Sequence, residues 1–150
     1  MGAGVRPRPR RSKHDRVQSC RKIYLGNKKI DIEMQIEENI LINIDPNYIR
    51  QTVDNLLINA INFSQEGVIR ISVLRKGSGV EFVISDNGIG IPKEDLYDIF
   101  TPFKMGSNAE SKAEGRGVGL ALCKAAVEAH GGTISAESKD EKGAQFRFVL

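Results

Sequence analysis

The 150-residue chain predicts an α+β fold, a two-layer α/β sandwich with helices packed on one face of a single mixed sheet. Two amphipathic stretches, 46–64 and 118–132, carry apolar residues at helical spacing. Between and around them lie runs that alternate apolar and polar residues, as strands with one buried face do. The order lacks the regular strand–helix–strand alternation of a parallel sheet, and no internal repeat is visible.

Taken from the N-terminus, Val17, Cys20 and Tyr24 recur at helical spacing, so 16–25 reads as a short helix stopped by Gly26 and Asn27. In 29–36, Ile30, Ile32, Met34 and Ile36 alternate with polar residues as in a strand. The stretch 39–45 reads as a second strand. Asp45 followed by Pro46 then starts a helix, with a side-chain cap and a residue whose missing N–H costs nothing there. Ile49, Val53, Leu56, Leu57, Ala60 and Phe63 form its expected buried face. Residues 68–85 are a hairpin around the turn Lys76-Gly77-Ser78-Gly79. A short helix over 93–100 leads into 101–117, a polar, glycine-bearing stretch that reads as a long mobile loop. The helix 118–132 places Leu120, Ala121, Cys123, Ala125 and Val127 toward the core and closes at Gly131. A last hairpin joins 133–138 to 144–150.

Composition excludes several classes. Hydrophobic content of 40% and charge of 27% are ordinary for a globular domain. No apolar run approaches the ~18–20 residues that cross a bilayer, so no membrane segment is expected. Two distant cysteines without metal-ligand spacing argue for a reducing, cytoplasmic setting and against zinc. Net charge is +3, yet residues 1–16 alone hold six basic residues against Asp15, leaving the remainder at −2. The basic excess therefore belongs to a tail, 1–16, read as disordered or expression-derived, ahead of one domain at 17–150. A nucleic-acid role for it is not favoured, because Pro and Gly interrupt any helix there. The isolated domain is expected to be a monomer.

Three motifs carry chemistry. Asn55, Asn59 and Asn62 sit at i, i+4 and i+7 of the helix 46–64, within about 60° of one another. A solvated helical face would normally carry Lys, Glu or Gln. Three amides on one stripe supply carbonyl oxygens to a hard cation and N–H donors to phosphates, though an ordinary polar face is the alternative. In DNGIGIP, 86–92, Asp86 can accept hydrogen bonds from an amine edge such as that of adenine. Gly88 and Gly90 let backbone approach a planar ligand and take positive φ, while a simple capped turn is the alternative. In GRGVGL, 115–120, Gly115, Gly117 and Gly119 expose N–H groups at a helix start, a ready anion site. It is neither the dinucleotide fingerprint nor the Walker pattern, and a flexible hinge is the alternative.

Order and spacing together say more than each motif alone. With Phe100 and Phe103 between the second and third motifs, the set resembles the ATP-binding catalytic domain of sensor histidine kinases, in the superfamily shared with gyrase-type, Hsp90-type and mismatch-repair ATPases. DNLLINAINFS resembles its N box, DNGIGIP its first glycine box, IFTPF its F box, and GRGVGLALCKAAVEAHGGTI its second glycine box. The resemblance covers about 30–150 and implies a Bergerat-type ATP-binding fold with a mobile ATP lid over 101–116. It implies ATP and Mg2+ as ligands, with Asn59 as the magnesium ligand and Asp86 reading the adenine amine. Phe63 would lie against the base, Gly88 and Gly90 would make room for it, and Ile91 would be an apolar wall. Asn62, Phe103 and Lys104 would complete the nucleotide site, with Gly115, Arg116, Gly117, Val118, Gly119 and Leu120 meeting the phosphates. Asn55 holds the catalytic position where hydrolases of the superfamily resemble one another in placing a Glu to activate water; its amide cannot take a proton, so hydrolysis should be slow.

The implied activity is protein-histidine kinase, with the γ-phosphoryl passed to a histidine on a partner helical hairpin and onward to a response regulator. Three departures qualify it. Position 62 is Asn where Lys or Arg is frequent, so Lys104, Lys112 or Arg116 would have to supply that charge. Gln145 stands where Ser or Thr is common, which puts one water-bridged adenine contact in question. No phosphoacceptor motif is present, and SKHDR around His14 is a poor substitute. His130 reads as a helix-end residue rather than a catalyst. An ATP-driven switch, a serine kinase of the anti-sigma type and a nucleotide-sensing pseudo-kinase share the same boxes.

Overall fold

β2 (Lys28–Glu37), β3 (Glu66–Lys76) and β4 (Gly79–Ser85) lie inside a six-stranded sheet, flanked by β1 (Arg16–Leu25) at one edge and by β6 (Lys142–Val149) then β5 (Thr133–Lys139) at the other. The computed structural model describes residues 16–25, 27–104, 117–139 and 142–150. β2 and β3 run parallel because α1 (Pro46–Phe63) carries the chain between them; the other neighbouring pairs are antiparallel. α2 (Lys93–Leu96) and α3 (Gly119–Ala129) complete the described helices. The sheet is mixed and the architecture is the expected α+β sandwich.

Strand alternation sorts the two faces. Ile30, Ile32, Ile69, Ile84, Phe146 and Phe148 point into one buried core with Leu56, Ala60, Cys123 and Val127 of the helices. Phe82 and Phe148 stack at 4.5 Å, and Phe100 meets Phe146 edge-on at 6.4 Å. The opposite face carries ion pairs instead, with Glu33 on Arg70 and Glu81 between Lys76 and Arg147. The Glu33–Arg70 pair is solvent-exposed and adds little to stability, while Glu81 is half-buried between its two partners.

α1 begins as its sequence requires: Asp45 Oδ1 accepts from the Asn47 amide at 2.9 Å, with Pro46 in the first turn. Its buried face includes Thr52, whose hydroxyl donates to the Tyr48 carbonyl at 2.9 Å and so needs no outside partner. At the C-terminal end, Lys28 Nζ donates to the carbonyls of Ile61 and Asn62 at 2.7 and 3.0 Å. The last turn of α1 holds no basic residue of its own, so the neighbouring strand supplies the cation favoured at that pole.

Four expectations need correction. Residues 16–25 form strand β1, not a helix, paired in register from Arg16 with Glu37 to Leu25 with Lys28. Antiparallel pairing with β2 along its whole length outweighs a weak helical spacing. Residues 39–45 form no strand; a turn at Asn39, with φ 56, leads irregularly into the α1 cap. The helix placed at 93–100 stops at Leu96 and continues as turns. Ala125 is exposed rather than core-facing, since α3 buries the narrower stripe of Cys123 and Val127.

Candidate functional site

Asp86 follows the last residue of β4, and its backbone continues the ladder: its N–H donates to the Ala144 carbonyl at 2.9 Å. Its carboxylate then turns back on its own loop. Oδ1 accepts from the Gly88 amide at 2.7 Å and from the Ala144 amide at 3.3 Å. Oδ2 has no partner among the described residues. Burial pushes the Asp86 carboxyl above the usual carboxylate range, against the downward pull of those two amides. A half-buried carboxylate with one oxygen held and one unspent is an acceptor for an N–H ligand.

The two glycines of the loop serve different ends. Gly90 takes φ +76, the left-handed region that glycine favours. Gly88 does not adopt positive φ, contrary to expectation; a Cβ there would lie 2.4 Å from the Phe63 carbonyl oxygen and 2.9 Å from Asp86 Oδ1. Gly88 exists so that the loop can press against the end of α1, where the Ile89 amide also donates to the Phe63 carbonyl at 3.3 Å. Ile91 is buried at the loop's far end.

α1 links this loop to the start of α3. Phe63 contacts the loop, and Asn55, two turns earlier, reaches α3: its amide carbon lies 3.9 Å from the Cβ position of Gly119, while the Cys123 thiol donates to the Thr52 carbonyl at 3.7 Å. Eight residues of helix span about 12 Å, and half-buried Asn59 stands midway. Asn62 is exposed. Asn55, Asn59 and Phe63 are therefore strung along one helix, between the N-terminus of α3 and the loop that carries Asp86.

The segment that precedes α3 is pinned at both of its described ends. The Phe103 amide donates to the Gly117 carbonyl at 2.9 Å, and Gly117, with φ +66, approaches so closely that its Cβ would sit 2.8 Å from the Lys104 carbonyl oxygen. Val118 caps α3 with no side-chain bond, Gly119 opens it, and half-buried Leu120 packs on the core. Phe103 is 77% exposed with φ 64, and Lys104 Nζ is paired with Asp98 Oδ2 at 2.7 Å. Lys112, Gly115 and Arg116, and most of the expected lid, lie outside the described residues, as does His14.

Several site residues escaped sequence reasoning. Ser138 Oγ accepts from the Ile91 amide at 3.0 Å and donates to the Gly143 carbonyl at 2.6 Å. Gly143, φ +68, donates its amide to the Gly88 carbonyl at 2.8 Å. Asn87 Oδ1 accepts from the Val68 amide at 3.1 Å. Only Gly143, between the two runs of the last hairpin in the sequence and inside β6 in the structure, hinted at any of these. His130 is structural, as expected. Its Nε2 accepts from the Asp45 amide at 3.0 Å, so Nδ1 carries the proton and donates to the Ala126 carbonyl at 2.6 Å. The ring thus ties the end of α3 to the cap of α1.

Residues 44–150 match the family of histidine kinase-, DNA gyrase B-, and HSP90-like ATPases. The chain belongs to that family. Among curated relatives it is 42% identical over 129 residues to the sensor protein KdpD of Clostridium acetobutylicum, which spans 85% of this chain and 14% of that protein. It is 43% identical over 111 residues to the sensor histidine kinase ZraS of Klebsiella oxytoca, spanning 73% of this chain and 23% of that protein. The chain thus spans a quarter or less of the length of these relatives. Among solved structures, the mycobacterial sensor histidine kinase MprB matches with a TM-score of 0.72 at 28% identity, over 81% of this chain and 82% of that one. Full-length ShkA in complex with AMPPNP matches with a TM-score of 0.67 at 27% identity, over 81% and 25%. This ATPase domain is homologous to the catalytic domains of sensor histidine kinases, and its family membership implies ATP binding. No helix among the described residues is long and apolar enough to cross a membrane.

Proposed function

We propose that this ATPase-family domain is the catalytic part of a two-component sensor histidine kinase, binding Mg-ATP along α1 and presenting the γ-phosphoryl to a histidine on a separate helical hairpin. The observation that carries the reading is the span of α1. One helix sets the amine-accepting Asp86 loop at Phe63, an amide oxygen at Asn59 and the α3 N-terminus at Asn55, in the order base, metal, phosphates. The ShkA structure that matches this chain is a complex with AMPPNP, which supports nucleotide binding by this kind of domain.

In this reading Asp86 Oδ2 accepts the adenine amine while Oδ1 stays on the Gly88 and Ala144 amides. Phe63 and Ile91 flank the base. The phosphates meet Gly117, Val118 and Gly119 at the opening of α3, where amides point outward and the helix dipole favours anions. Among the described residues no cluster of three His, Cys, Asp or Glu side chains could hold a metal. The donor set fits Mg2+ nonetheless, because that ion keeps several waters and takes phosphate oxygens with one or two protein ligands; Asn59 would supply one neutral oxygen. Bound there, Mg2+ would neutralise charge on the phosphates. Transfer then depends on positioning. Asn55 cannot accept a proton, so water is not activated and the acceptor histidine brings its own nucleophile. A response regulator would receive the phosphoryl group next.

The test is a Mg-ATP titration followed by transfer to a supplied phosphoacceptor hairpin. The expected product is acid-labile phosphohistidine, with negligible ATP turnover by the domain alone. An acid-stable phosphoserine on an antagonist protein would replace this reading with the anti-sigma type. Steady turnover without a partner would make the domain a hydrolase, and binding without any transfer a nucleotide sensor.

A further inference from the structure

Loop 86–91 is held to the β5–β6 hairpin at both ends. At its start the bonds are backbone ladder contacts, or contacts of Asp86 itself with the Ala144 amide. In the middle the Gly143 amide holds the Gly88 carbonyl at 2.8 Å. At its far end one hairpin side chain reaches across: Ser138 Oγ takes the Ile91 amide at 3.0 Å and gives its own proton to the Gly143 carbonyl at 2.6 Å. One hydroxyl thus closes a ring of three bonds through Ile91, Ser138, Gly143 and Gly88. Gly143 is the tightest point of that ring, since a Cβ there would lie 2.3 Å from the Asp86 carbonyl oxygen.

We infer that Ser138 is a positioning residue for base recognition, a latch that sets both the apolar wall at Ile91 and the aim of Asp86. The inference rests on the nucleotide reading above and deepens it. A hydroxyl is suited to the task because it donates and accepts at once; alanine does neither. With the latch removed, the Ile91 amide and the Gly143 carbonyl lose their partner together. The left-handed turn at Gly90 is then held from one side, and Gly143 is free to shift against Asp86. The phosphate end, 12 Å or so along α1, has no part in the ring.

The experiment measures dissociation constants of Mg-ATP and Mg-ITP for the wild-type chain, Ser138→Ala, Ser138→Thr and Ser135→Ala. ITP carries a carbonyl where ATP carries the amine, so the ratio of the two constants reads how well Asp86 is aimed. Ser138→Ala should shrink the preference for ATP about fivefold, as losing one hydrogen bond predicts, and speed amide exchange at Ile91. Ser138→Thr, which keeps the hydroxyl, should restore the preference. Ser135→Ala, exposed on the same strand, should leave it unchanged. A residue that merely stabilised the fold would scale both constants alike and leave the ratio intact. If Ser138→Ala does not fold, Ser138→Cys takes its place, with the same size and a weaker acceptor, and the same loss of preference is required of it. Wild-type protein that prefers ATP, with a variant that prefers it equally, overturns the latch alone. Wild-type protein that binds no ATP overturns the parent reading and the latch together.

Discussion

Replacing Gly88 with alanine tests whether the base-side loop is shaped by contact with α1 or by backbone torsion. The added Cβ would sit 2.4 Å from the Phe63 carbonyl oxygen and 2.8 Å from its carbon, both backbone atoms of a helix end that the core holds in place. Reaching even a bare 3.0 Å contact requires the loop to withdraw by about 0.6 Å. That movement stretches the Ile89–Phe63 bond, already 3.3 Å, and competes with the Gly88–Asp86 bond at 2.7 Å. Overpacking of this kind costs ~1–3 kcal/mol, and a weakened hydrogen bond adds ~1 kcal/mol. The expected loss is about 2–4 kcal/mol, or on the order of 10 °C in Tm for a domain of this size. Mg-ATP affinity should fall as well, since Asp86 Oδ1 is pushed by the same methyl. Gly77→Ala is the matched control: it has φ +60 but nothing within 4 Å, so it should cost only the ~1–2 kcal/mol of left-handed strain and leave nucleotide binding alone. The assay is thermal melting with nucleotide titration on both variants. A Gly88→Ala protein that melts and binds like wild type would refute the close-approach argument.

Asp86 should give opposite pH signatures in stability and in binding. Burial raises its folded-state pKa, so its contribution to stability is full below the unfolded value and is lost as pH rises through the folded one. Nucleotide binding needs the carboxylate, so affinity should fall as pH drops through that same raised value; Asp86→Asn should abolish this limb in a pH series of titrations. Cys123 is buried, and desolvation pushes its thiol from 9.0 up to about 11. In a Cys20→Ser background, stability should therefore decline by about 2–3 kcal/mol between pH 9 and 11, and a thiol reagent at pH 8 should react only as fast as the domain opens. His130→Ala removes the acceptor of the Asp45 amide and the donor to Ala126. It should cost ~1–2 kcal/mol in denaturant melts with Mg-ATP affinity unchanged; a selective loss of affinity would make His130 part of the site.

Local chemistry determined much of this domain. Asp45-Pro46 starts α1 because a cap and a proline act within one turn. The alternations in 29–36, 68–85 and 144–150 became strands because period-two burial needs no distant information. The three asparagines share a stripe because helical geometry puts them there. The same local logic misled at 16–25, where antiparallel pairing with β2 overrode helical spacing. It misled again at 39–45, whose apolar residues found no neighbouring strand. What only the tertiary structure decided concerns contacts between residues far apart in the chain. It gave Gly88 its reason in the Phe63 carbonyl, the end of α1 its cation from Lys28, and Ile91 its anchor in Ser138. It paired Lys104 with Asp98 and exposed Phe103. Residue types reveal what a side chain can do, but its partner depends on which strand lies beside it, and that is set by the sheet order β4-β6-β5, which brings the last hairpin against the loop after β4.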